Sequence, residues 1–194
     1  MVKEKLVNDD VFAILEQLCA VEFGEHNILI YDELDSFREV YSQYVKKRLA
    51  ANDIVLMLPH YENVDCVKQV LKETEADLDE HLAKGSLVIM DSVKGFFGPD
   101  VDNFFSFLKI LQQRVKTMNK GGLAVIVDMG AFYHLRRIGE MINYEQSIPA
   151  KSDTRSSLLC SYHKKDFGRL ADDQRQLLLD HHYRNLLVKD PNQS

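Results

Sequence analysis

The sequence predicts an α/β domain: a doubly wound, mainly parallel sheet with helices on both faces and no phosphate-binding loop. Short uninterrupted runs of Ile, Leu and Val recur along the chain, as expected of strands covered on both sides. Between them lie longer segments with apolar residues three and four apart, the pattern of amphipathic helices. Strands alternating with helices are joined by crossovers and therefore run parallel. The turn after the first strand, Asp32-Glu33-Leu34-Asp35-Ser36-Phe37, holds three carboxylates and neither Gly nor Lys. A phosphate loop needs both, for close approach of backbone amides and for a cation.

In chain order, a stripe of Val11, Ile14, Leu15, Leu18 and Cys19 predicts a helix that packs on the body or on a partner. The strands fall at 27–31, 54–58, 87–90, 123–127, 157–162 and 186–188. After the first, Leu34, Phe37, Tyr41, Tyr44, Val45 and Leu49 share one helical face, opened by Ser36 and Glu39 at capping-box spacing. Further stripes are Val64, Val67, Val70 and Leu71, then Val101, Phe104, Phe105, Leu108, Leu111, Val115 and Met118. Phe132, Leu135, Ile138 and Ile142 suggest the next helix, and Leu177, Leu178 and His181 the last. Residues 1–22 are expected to form a helical extension, 23–190 the domain proper, and 191–194 a frayed tail.

Hydrophobic residues make up 45% and charged residues 28% of the 194, ordinary for one globular domain. No apolar run approaches the ~20 residues of a membrane span, and the charged start carries no signal core. A soluble, cytoplasmic protein without membrane contact is expected. The net charge of −6 gives little drive toward nucleic-acid phosphates, so direct nucleic-acid binding is not expected. Three widely spaced cysteines suit a reducing compartment and give no zinc spacing.

Ligands of open α/β sheets bind outside the carboxyl ends of the strands. Asp32, Asp91 and Asp128 sit at three such ends, with Tyr61, Tyr133 and Tyr162 at or after others. Together they predict an acidic, aromatic mouth for a small ligand or a divalent cation; alternatively the aspartates merely cap loops and helices. Cys160 and His163 point to opposite faces of their strand, and the adjacent His181 and His182 diverge by about 100° on a helix, so neither pair forms a site by itself. Glu145 is either a solvated helix residue or a carboxylate turned toward the sheet.

The segments His26-Asn27-Ile28-Leu29-Ile30-Tyr31-Asp32, Leu87-Val88-Ile89-Met90-Asp91, Asp128-Met129-Gly130, Tyr144-Glu145, Leu159-Cys160-Ser161-Tyr162 and Asp180-His181-His182 occur in an order that resembles the MEDS domain. This is the methanogen/methylotroph sensory domain of DcmR-type regulators. The resemblance implies a RecA/KaiC-like fold without its phosphate loop and a role in sensing small molecules, in transcription regulation for the founding member. It also implies that Asp128 stands where a Walker B aspartate would hold a divalent cation, and that Glu62 falls near the catalytic carboxylate after the second strand. Only about 25 residues precede the first strand, too few for a helix-turn-helix and a linker.

The leading expectation is thus a non-catalytic sensory or signal-transduction module, binding a small ligand at the strand ends and relaying this to a protein partner or a second copy. Ordinary phosphate-loop ATP binding is not expected. The alternatives are a residual nucleotide- or metal-dependent hydrolase using Asp128, Asp91 and Glu62, and a scaffold that pairs through its first helix.

Overall fold

The computed structural model describes residues 7–9, 11–98 and 104–188. Among these residues seven strands form one parallel sheet in the order β1-β7-β2-β6-β5-β3-β4. They are β1 (Val7–Asp9), β2 (His26–Tyr31), β3 (Ile54–Leu58), β4 (Leu87–Ile89), β5 (Leu123–Asp128), β6 (Ser156–His163) and β7 (Asn185–Val188). The sequence does not announce β1, which pairs with β7 at the sheet edge. Among the described residues no helix is long and apolar enough to cross a membrane. The expected tail at 191–194 and the stripe position Val101 lie outside the described residues.

Alternation along the strands divides the core in two. Leu29, Tyr31, Val55, Met57, Ala124, Ile126 and Leu159 face one layer. Ile28, Ile30, Leu56, Val125, Val127, Cys160 and Tyr162 face the other. Period two forces this division, because successive side chains leave a strand on opposite sides. The first layer is covered by α1 (Val11–Cys19), α2 (Leu34–Ala50), α3 (Val64–Thr74) and α4 (Leu78–Lys84). The second is covered by α5 (Ser92–Phe97), α6 (Phe104–Thr117), α7 (Gly130–His134), α8 (Ile138–Ser147), α9 (Lys164–Phe167) and α10 (Asp172–His181).

Helix α1 buries Ile14 and Leu18 in the first layer, so α1 packs on the same core as α2 to α4. Helix α2 starts a turn earlier than the capping-box spacing suggests. Glu33 is its N-cap without a side-chain bond, and Ser36 is already helical and buried, because Leu34 and Phe37 are drawn onto the sheet. The stripe from Phe132 to Ile142 is two helices, α7 and α8. They are broken at Arg136, whose φ of 56° is left-handed and ends a helix.

Candidate functional site

Only Asp32 and Glu33 link β2 to α2, a turn too short to hold an eight-residue phosphate loop. Asp32 is paired instead with Lys164, whose ammonium lies 2.6 Å from Asp32 Oδ2.

Asp128 ends β5, the middle strand of the three β6, β5 and β3. It is buried, and its Oδ2 accepts from the Tyr31 hydroxyl at 3.1 Å while Oδ1 accepts from the Gly130 amide at 2.9 Å. The amides of His60 and Tyr61 also donate to it. Burial raises its carboxyl from 3.8 to about 6, against the pull of these donors. Gly130 is required here: a Cβ would lie 2.4 Å from the His60 ring. Around Asp128, Tyr31 stacks on Phe37 at 4.2 Å, and His163 contacts both Tyr31 and Tyr61 by ring edges or tilted faces at 5.4 and 5.3 Å. The Tyr61 hydroxyl donates to Asp166, whose other oxygen accepts from Arg169 at 3.2 Å.

Arg169 opens onto a cleft of about 290 Å³ that it shares with Tyr133, Arg136, Ile138, Leu170 and Gln174. The cleft lies beyond the carboxyl ends of β5 and β6, where α7 and α9 leave the sheet. The Tyr133 hydroxyl is buried with no hydrogen-bond partner among the described residues, and burial raises its ionisation well above the ordinary phenol range.

The six residues expected to form one mouth are therefore distributed. Asp128 and Tyr61 belong to the strand-end network, Tyr133 lines the cleft, and Asp32 is held by Lys164. Asp91 caps α5, accepting from the Lys94 amide at 3.0 Å. Tyr162 turns into the second layer and donates to Glu145. Glu62 accepts from Arg38 at 2.8 Å and Tyr41 at 3.1 Å on the α2 side. Glu62, Asp91 and Asp128 thus keep separate partners. Among the described residues, the group close enough to share an ion is a different one: His26, Glu145, Cys160 and His182.

Glu145 is not a solvated helix residue but fully buried. His182, on the residue after α10, points inward, while His181 donates to the Ile148 carbonyl at 2.7 Å. Sequence periodicity offers one signal for this group: a Glu inside α8 falls on the stripe continued by Met141 and Tyr144, both buried.

The MEDS family profile, described as the methanogen/methylotroph DcmR sensory domain, matches residues 25–182. Among solved structures, a KaiC-like protein from the hyperthermophilic archaeon Pyrococcus horikoshii OT3 aligns with a TM-score of 0.58 at 13% identity, covering 89% of this chain and 75% of that one. The flagellar accessory protein FlaH from Methanocaldococcus jannaschii aligns at 10% identity with a TM-score of 0.43, covering 94% of this chain and 75% of its own. No curated protein matches the sequence. The KaiC-like neighbour gives the fold and nothing about chemistry. The family match spans most of the chain, from just before β2 to just after α10, and the protein belongs to the MEDS family of sensory domains.

Proposed function

We propose that this chain is a non-catalytic sensory module that takes a small oxygen-bearing or anionic ligand into the cleft at Tyr133 and passes its occupancy to a protein partner or a second copy. The observation that carries this reading is the unpartnered, buried Tyr133 hydroxyl on a cleft that also offers Arg136, Arg169 and Gln174. An orphaned buried hydroxyl costs about 1–3 kcal/mol, which a ligand oxygen would restore. The cleft sits at the small end of the range for ligand pockets, and its cations suit a carboxylate or similar group. A relay needs only different affinities for two states. A ligand that draws Arg169 from Asp166 would loosen the Tyr61 hydroxyl, and the backbone of Tyr61 holds Asp128.

The residual-hydrolase reading has one supporting feature, the raised Asp128 carboxyl at a strand end. Both of its oxygens are already engaged, which weighs against a metal there. The test is a titration of the ¹⁵N-labelled chain with acetate, formate and inorganic phosphate, followed by NMR. Saturable shifts confined to residues 133–138 and 166–174, and lost in Tyr133→Phe and Arg169→Ala, are expected. Absence of saturation with all three anions, or shifts that survive both substitutions, would remove the proposal.

A further inference from the structure

Under α8 and α10, four side chains meet in the second core layer. His26 begins β2, Cys160 lies on the adjoining β6, Glu145 descends from α8, and His182 follows α10. All are buried, and one ligand atom from each lies within 4.8 Å of every other. His26 Nε2 is 3.3 Å from Cys160 Sγ and 3.1 Å from Glu145 Oε2, and His182 Nε2 is 3.4 Å from the same Oε2.

Hydrogen bonding leaves this cluster incomplete. His182 Nδ1 is 2.7 Å from the Leu178 carbonyl; since a carbonyl only accepts, Nδ1 carries the proton and a neutral ring turns the lone pair of Nε2 inward. That lone pair confronts a carboxylate oxygen. Among the described residues His182 Nε2 has no hydrogen-bond partner, and Glu145 Oε2 is approached by His26 Nε2 and His182 Nε2 of the cluster itself, with the Glu145 and His182 side chains fully buried. The other Glu145 oxygen accepts from Tyr162, which fixes the orientation of the carboxylate. Two facing acceptors sealed from water need a positive species between them.

We infer that His26, Glu145, Cys160 and His182 form a closed, four-ligand site for a divalent transition metal of the zinc class. Ligand distances of about 2.0–2.3 Å in tetrahedral zinc sites place the ligand atoms about 3.3–3.8 Å apart; three pairs already lie 3.1–3.4 Å apart, and all four atoms lie within 4.8 Å of one another. Two nitrogens, a sulfur and a carboxylate oxygen suit zinc rather than calcium or magnesium. On binding, the Cys160 thiol gives its proton to solvent and four metal bonds form. Thiolate and carboxylate then balance the 2+ charge with both imidazoles neutral. The Leu178 carbonyl on His182 and the Tyr162 hydroxyl on Glu145 are the outer partners such ligands ordinarily have. A cavity of about 300 Å³ lined by His26, Phe105, Leu108, Ile148 and Leu158 borders the cluster at His26, on the side of the amino ends of the strands. With four protein ligands the site holds α8 and α10 to the sheet and leaves no position for substrate. Its four ligands do not line the Tyr133 cleft.

The test is titration of the full-length chain with Co²⁺ under anaerobic, reducing conditions, in a Cys19→Ser, Cys66→Ser background that keeps Cys160 as the remaining thiol. Uptake of one Co²⁺ per chain is expected, with tetrahedral d–d absorption and a thiolate-to-cobalt charge-transfer band, both displaced by one equivalent of Zn²⁺. Cys160→Ser should abolish the charge-transfer band, and Glu145→Gln should weaken affinity at least tenfold. Should either variant fail to fold, the spectrum of the parent decides alone. No stoichiometric uptake, a weak octahedral spectrum, or a charge-transfer band that persists in folded Cys160→Ser overturns the inference.

Discussion

Replacing Asp128 by Asn should change how stability depends on pH, and the size of the change follows from the geometry. Burial raises the folded-state carboxyl from 3.8 to about 6, roughly two units at 1.36 kcal/mol each, or about 3 kcal/mol. The sign follows from linkage. Below the unfolded value both states are protonated and there is no penalty. As pH rises from about 4 to about 6 the unfolded chain releases its proton first, so this stability is lost, and above 6 the full penalty of about 3 kcal/mol applies. Asn carries no charge and escapes this. Its amide nitrogen, however, faces donors, because Tyr31, Gly130, His60 and Tyr61 all donate to the carboxylate. Losing one such bond costs about 1–3 kcal/mol at every pH. Equilibrium urea unfolding, followed by circular dichroism at pH 4 and pH 7.5, should therefore find the variant less stable than wild type at pH 4. At pH 7.5 it should be equal or more stable, a swing of about 2–3 kcal/mol. A stability gap that is the same at both pH values would refute the reasoning.

Gly24→Ala should unfold or severely destabilise the chain, since φ there is +90° and the new Cβ would lie 2.0 Å from the Ser152 carbonyl oxygen; a melting temperature within a few degrees of wild type would contradict this. Leu18→Ala should cost about 2–5 kcal/mol, because that side chain is buried from α1 into the first core layer, and a loss below about 0.5 kcal/mol in denaturant unfolding would mean that α1 is dispensable to the fold. ATP turnover should stay below the ~1 per second of slow ordinary enzymes, given the two-residue link from β2 to α2, and faster turnover abolished by Asp128→Asn would oppose it.

Periodicity in the chain specified the fold. Runs such as Ile54-Val55-Leu56-Met57-Leu58 are apolar on both faces, which only a sheet covered on both sides satisfies, and the stripe from Phe37 to Leu49 can be buried only as a helix. The missing phosphate loop was equally plain, being a matter of residue type at fixed spacing. Strand β1 was not legible because three residues at an edge carry too little pattern, and its place depends on pairing with the distant β7. The candidate site was legible only in part. Asp128 and Tyr133 could be placed near strand ends by counting, but counting within separate strands does not fix which face of the sheet each side chain takes. That alternation sends Asp128 to Tyr31 on one face and Tyr162 to Glu145 on the other, which divides the expected mouth. The group of His26, Glu145, Cys160 and His182 is assembled across 156 residues of sequence separation. No spacing rule relates these positions. They meet because β2 and β6 are neighbours in the sheet and α8 and α10 pack on the same face, so this chemistry was decided by tertiary structure alone.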